Sequence, residues 1–289
     1  MLRLIRPFFL TLAMTAGQAS ANATPNHVFQ VTEKSVALLE SLNAANFSTP
    51  TYGKTKVDPA LPRHVLQLAR DVWRKTQLLR FMNGLPTQAL PPVPAREIVP
   101  ADVKETVDQI YAQLEGLRPS YAITVAPEDP ALPSGKSPTD VFANLLKVSA
   151  ALDSLGVPTT VPNDVHQVAA SVLQDALRLA EVANVTDAAT AAENVPIAIG
   201  QTPVDAYFAA VAFIEDLNAL ATSPKGIAVT GDINIPASKD KISPSDVMIV
   251  LLRARAELNA MRFAAKDTDV SQNAGYEGGK TPSDVVTTI

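Results

Sequence analysis

The chain has 289 residues, 47% apolar, 18% charged and 5% aromatic, with a formal charge of −5. This composition folds rather than staying disordered, and its acidity argues against nucleic acid or an anionic membrane surface as a partner. There is no cysteine, which excludes a disulfide-stapled domain, a lipid-anchored lipoprotein, a thiol nucleophile and a thiolate metal site.

Residues 1–21 read as a secretory signal. Arg3 and Arg6 form a positive end, Pro7 to Ala16 is largely apolar, and Ala19-Ser20-Ala21 is a small-x-small cleavage site. The apolar stretch is too short for a permanent span, and no other segment approaches ~18 continuous apolar residues. Cleavage after Ala21 removes two arginines and no acid, taking the charge from −5 to −7. The expectation is a periplasmic or secreted protein with no membrane span in the mature chain.

Beyond the signal, one short pattern recurs: a proline, then Asp or His two residues on, then Val or Ala. Its prolines are Pro25, Pro62, Pro100, Pro138, Pro162, Pro203, Pro244 and Pro282, spaced 37, 38, 38, 24, 41, 41 and 38 residues apart. Proline at the first helical position loses no hydrogen bond and has its φ preset. Thr24, Ser137, Thr202, Ser243 and Thr281 precede it as N-caps. Asp102, Asp140, Asp164, Asp205, Asp246 and Asp284 fall on the third helical residue. There a carboxylate meets free N–H groups and the positive end of the helix dipole. Leu61, Val99 and Val161 replace the cap in three copies, which predicts blunter starts there.

Behind the prolines, positions +3, +7, +10, +14 and +17 are mostly apolar, broken at Thr32 and Ser35 in the first copy and at Thr76 in the second, and read only to Val285 and Ile289 in the eighth. They read Val103, Val107, Ile110, Leu114 and Leu117 in the third copy, and Val141, Leu145, Val148, Leu152 and Leu155 in the fourth. This 4-3-4-3 spacing is a helix stripe. Each helix is then ~18–22 residues, or roughly 30 Å long. The Pro-rich connectors are long enough to run back along their helices in extended form, so successive helices are expected to lie parallel. Ala122 to Ala126, Val195 to Ile199 and Ile227 to Ile235 alternate as though half-buried. Only Gly156 to Val161 separate Leu155 from Pro162, too few for a return, so the fourth and fifth helices are expected to be antiparallel. The predicted fold is all-α: an array or bundle of about eight helices. Residues 22–156 form one four-helix half and 157–289 the other, as separate lobes or one continuous domain. The period overlaps that of tetratricopeptide and HEAT repeats, but their paired helices and tight turns are not this pattern.

The sequence carries few motifs of catalysis or ligand binding. Gly135-Lys136-Ser137, Gly279-Lys280-Thr281 and Gly53-Lys54-Thr55 end like phosphate-binding loops, but the earlier glycine such a loop requires is missing. No nucleophile elbow, HExxH or dinucleotide loop occurs. The recurring aspartates are explained as helix caps without catalysis. His27 and His64 occupy the Asp slot in the first two copies and are candidate binding residues if those helices are parallel neighbours, against the plainer reading of neutral imidazoles at helix starts. The second helix is unusually basic: Arg63, Arg70, Arg74, Lys75 and Arg80 surround Trp73, the only tryptophan. Arg70, Trp73 and Arg74 are therefore candidates for a partner or anionic-ligand surface, against a solvated face with Trp73 half-buried. The functional expectation is a non-enzymatic exported helical-repeat protein that binds a protein or small-ligand partner or acts as a scaffold, with no cofactor and no metal assigned. A small-molecule or cofactor-binding protein using the His27 and His64 end is the alternative, and a carboxylate-based enzyme the third.

Overall fold

The computed structural model describes residues 23–53, 57–239 and 241–289. The predicted signal and Lys54-Thr55 lie outside them. The described residues are all-helical, with no strand. The helices are α1 (Pro25–Ala45), α2 (Pro62–Met82), α3 (Pro100–Glu115), α4 (Pro138–Ser154), α5 (Pro162–Val182), α6 (Ala188–Glu193), α7 (Pro203–Thr222), α8 (Pro244–Ala264) and α9 (Pro282–Thr288). A 3-10 turn at Arg118–Tyr121 follows α3. All but α6 open on proline.

The caps explain where the helices begin. Ser137 is extended (φ −105, ψ 166). Asp140 Oδ2 accepts the Ser137 N–H at 2.8 Å and its hydroxyl at 2.6 Å, while Ser137 Oγ accepts the Asp140 N–H at 3.3 Å. The same closed loop joins Thr202 to Asp205 and Ser243 to Asp246. Where a valine precedes the proline, the carboxylate still accepts the cap N–H, at 2.9 Å for Asp102 and 3.0 Å for Asp164. Asp284 does so from Thr281 at 2.7 Å. The cap hydroxyl and N–H bonds hold Asp140, Asp205 and Asp284 below the usual carboxylate range. Where histidine replaces aspartate, its Nδ1 does the work. It accepts from the Thr24 N–H at 3.2 Å in α1 and from the Leu61 N–H at 3.0 Å in α2.

In the first bundle α1 packs against α3 and α4, and so does α2, which leaves α1 and α2 on one diagonal and α3 and α4 on the other. Pro25, Pro62, Pro100 and Pro138 meet at one end with Val28, Val65, Val103 and Val141, so these four helices run parallel. The inward stripes fill the centre, including Leu38, Leu42, Leu79, Ile110, Leu114, Leu145 and Leu152. In the second bundle α5 packs against α8 and α9, and so does α7, which is the same square. Hydrogen bonds match as well. Lys136 N–H donates to Asn26 Oδ1 at 2.8 Å and Lys280 N–H to Asn163 Oδ1 at 2.7 Å. Ala60 N–H reaches Thr139 Oγ1 and Gln201 N–H reaches Ser283 Oγ, both at 3.0 Å. Gln30 Nε2 donates to Pro130 O at 2.8 Å and Gln167 Nε2 to Ala274 O at 2.9 Å.

Helices α2 and α8 join the bundles. His64, near the start of α2, meets Glu257, near the end of α8. Asp71 and Lys75, further along α2, share a cleft with Ser245 and Asp246 at the start of α8. The two helices are thus antiparallel, and the bundles run in opposite directions. Helices α4 and α5 form no packing interface; residues 155–161 simply pass from one bundle to the other.

Several expectations need correction. Helix α2 is not a solvated face: Trp73 is 2% exposed and Arg70 7%, because α3, α4 and α8 surround it. The connector segment Val195 to Ile199 is not half-buried through its apolar residues. Val195, Ile197 and Ile199 are exposed, whereas Ile233 in the 227–235 connector is buried. The short helix α6 escaped the periodicity argument because it has no buried face.

Candidate anion-binding cleft between the bundles

A cleft of about 430 Å³ opens where α2, α5 and α8 meet. Arg70, Trp73 and Arg74 all border it, so the structure brings the three basic and aromatic candidates to one place. Gln167 and Val168 of α5, Leu252 and Arg255 of α8, and Leu78, Phe81 and Leu90 add to a mixed lining that also holds the carboxylates Asp71 and Asp164.

Each cation in the cleft has different company. Arg74 is pinned by Asp71, with Nε to Oδ1 at 3.0 Å, and lies 3.7 Å from Asp164. Burial works against its charge, but the two carboxylates outweigh it and raise its pKa. Arg255 is held by Asp175 at 3.0 Å, Ser271 at 3.0 Å and Asn273 at 2.6 Å. Arg70 differs. Its one hydrogen bond goes to the Pro91 carbonyl, and among the described residues it forms no ion pair. Burial, and then the nearby Arg255 guanidinium, push its pKa down to about 10, with Asp175 opposing. It remains a cation at neutral pH, buried without a counter-ion. The Trp73 indole Nε1–H is also buried and has no hydrogen-bond partner. An orphaned donor of this kind costs ~1–3 kcal/mol.

The two histidine candidates do not join this site. His64 is 2% exposed. Its Nδ1 accepts from Leu61, so Nε2 carries the proton and donates to Glu257 Oε1 at 2.5 Å. Glu257 also pairs with Arg63 at 2.8 Å. Burial is the main influence on His64 and pushes its pKa down, against the pull of Glu257, so the ring is neutral. His27 Nδ1 is taken up by Thr24, and α1 and α2 sit on opposite corners of their square. The two rings therefore share no site. The six cap aspartates Asp102, Asp140, Asp164, Asp205, Asp246 and Asp284 are spread over helix starts, and no three His, Asp or Glu side chains among the described residues converge as metal ligands.

The loops that end like phosphate-binding loops have another role. Gly135 (φ +70) and Gly279 (φ +76) turn the chain into α4 and α9, and the lysine amides that follow are the hooks on Asn26 and Asn163. Of the connector tyrosines, Tyr52 donates to Glu40 at 2.9 Å and pins its connector to α1, whereas Tyr276 is exposed.

Arg255 is the cleft residue that sequence reasoning missed. The available signal was that α8 carries Arg253, Arg255, Glu257 and Arg262 inside a run that is apolar on every side. Such a helix is buried all round, so its charges must find partners. No protein-family model, curated protein or solved structure matches the chain.

Proposed function

We propose that this is an exported, non-enzymatic binding protein made of two copies of one four-helix unit, and that its ligand is a small anion with an apolar body held in the cleft between them. The observation that carries this reading is Arg70: a guanidinium 7% exposed, with no ion pair among the described residues, bordering a cleft in which Leu78, Leu90, Val168 and Leu252 supply apolar surface. A carboxylate or phosphate supplies the missing charge and takes bidentate hydrogen bonds from such a group. The Trp73 N–H offers a further donor, and Leu78, Phe81, Leu90, Val168 and Leu252 accept the apolar remainder.

The repeat reading rests on the matching squares and the three matching hydrogen bonds. The non-enzymatic reading rests on the use of the aspartates and of His27 and His64 as helix caps. Export rests on residues 1–21; N-terminal sequencing of protein from its own host should begin at Asn22. The histidine-end reading loses support, since His64 is sealed.

Trp73 is the sole tryptophan, so its fluorescence reports on the cleft alone. Benzoate and phenyl phosphate serve as probes. Saturable quenching or a spectral shift by either one, lost in Arg70→Gln, supports the proposal. Emission that responds to neither probe, or responds equally in Arg70→Gln, contradicts it.

A further inference from the structure

Gln67 of α2 borders the anion cleft and also a second cavity, of about 390 Å³, between the start of α2 and the end of α8. Its construction follows from local sequence. Ala256, Ala260 and Ala264 recur every fourth residue of α8, so one face of that helix carries methyl groups alone and leaves room beside α2. Val93 and Ile98, in the connector before α3, form the first bundle's wall, and Ala228 to Gly231 form the second bundle's. The second wall is fixed to α2. Arg63 Nη1 donates to the Thr230 carbonyl at 2.6 Å. Gly231 (φ +76) comes so near that a Cβ there would lie 3.1 Å from Leu61 Cδ1, an approach and a backbone conformation that suit glycine.

Three polar groups on this cavity lack partners. Gln67 is 2% exposed and makes no side-chain hydrogen bond to another described residue. Arg63 Nε and Asn259 Nδ2 are buried and have no acceptor. Such donors are destabilising until an oxygen meets them.

The charges around the cavity, by contrast, are already matched. Arg63 pairs with Glu257 at 2.8 Å, and Arg96 with Asp102, whose Oδ2 it meets at 2.7 Å. Glu97, also bordering the cavity, is exposed to water. No arginine here resembles Arg70, so nothing favours an anion. The unmet need is for an uncharged hydrogen-bond acceptor on an apolar body.

We infer that this cavity binds a neutral, largely apolar molecule that presents a carbonyl oxygen to Asn259, Gln67 and Arg63, with an aryl ketone the simplest of the class. Leu66, Val93, Ile98, Val229 and Phe263 receive the apolar part. The volume falls in the range of about 300–1,000 Å³ typical of small-molecule sites. This site is separate from the anion cleft and stands without it.

The test is equilibrium dialysis of the full chain against 2-acetylnaphthalene and 2-ethylnaphthalene, which differ in the carbonyl. The ketone should bind 1:1 and roughly fivefold or more tighter than the hydrocarbon. Ala260→Leu fills the cavity and should weaken the ketone at least tenfold. The melting temperature should barely move, because Ala260 is already part-exposed. Asn259→Leu should abolish the preference for the ketone while the melting temperature holds or rises, since it removes an orphaned donor; a residue with a purely structural role would leave that preference intact. Should Ala260→Leu fail to fold, Asn259→Leu decides the matter alone. Binding of neither compound, equal binding of both, or a preference that survives Asn259→Leu overturns the inference. Displacement of the ketone by benzoate or phenyl phosphate also overturns it, since the ketone then lies in the anion cleft. If those anions fail to bind at all, the anion reading falls and this one stands.

Discussion

At the fifth inward position the first bundle places Leu42, Leu79, Leu117 and Leu155, none more than 6% exposed, whereas the second places Leu179, Leu220 and Met261 and leaves Leu220 at 38%. The fifth inward layer is thus buried throughout the first square and part-exposed at Leu220 in the second. A second contrast lies higher up. Where the first bundle has Leu38, fully buried, the second has Asp175. The Tyr111 position is likewise taken by Arg255. Asp175 binds Arg255 at 3.0 Å and also Arg262 and Ser271. Arg262 continues to Asp267 at 2.8 Å. Burial raises the Asp267 pKa, but hydrogen bonds from Arg178, Arg262 and the Asp269 N–H prevail and hold it at about 2. The two bundles are therefore held by different physics, one by apolar closure and the other partly by a buried ionic network. Such a network is fragile to the loss of a single member, because the remaining charges stay buried.

The sharpest way to break the comparison is therefore Asp175→Asn. It leaves Arg255 and Arg262 without their shared carboxylate and should cost ~3–5 kcal/mol of the second bundle's stability in urea unfolding. A loss below ~1 kcal/mol would show that the network adds little. Next in size is the pair Leu79→Ala and Leu220→Ala. The sealed leucine should cost ~2–5 kcal/mol and the open one less than ~1 kcal/mol. Equal costs would erase the asymmetry between the squares. Smaller again is Ser137→Ala, which removes the hydroxyl from the α4 cap and should cost ~1 kcal/mol. The counterpart substitution at Val161, which has no hydroxyl to lose, should leave the start of α5 unchanged by circular dichroism.

The smallest effect is on pH and concerns the joint between the bundles. His64 faces Glu257, Arg63 and Arg253, and burial pushes its pKa below 6.5. Below that value the unfolded chain takes a proton that the folded ring refuses, so the stability His64 contributes is present at neutral pH and falls as pH drops. Melting temperatures measured from pH 7 to pH 5 should decline more steeply for the natural chain than for His64→Gln. Parallel curves would remove His64 from the pH response.

The helix starts were legible because proline, cap and carboxylate lie within four residues of one another, and local chemistry is what a sequence displays. The fate of α2 was not legible. Its arginines and lysine read as a solvated face, and the groups that hold them are distant: the Glu257 carboxylate for Arg63, the Asp153 carboxylate for Lys75, the Gln113 carbonyl, as hydrogen-bond acceptor, for Arg80. The sequence pointed to Arg70, Trp73 and Arg74 without showing that they border a cleft with α5 and α8. It proposed His64 for binding because the Asp slot was visible and Glu257 was not. The exposure of Leu220 was hidden for the same reason, since burial is set by neighbours distant in sequence.

Native-state hydrogen exchange read by mass spectrometry tests the asymmetry of the two squares most directly, because it follows the last turns of α2 and α7 in one unmodified molecule. The amides of Leu217 to Thr222 should exchange at least tenfold faster than those of Thr76 to Phe81. Equal protection at the two places would mean that the second square is as closed as the first.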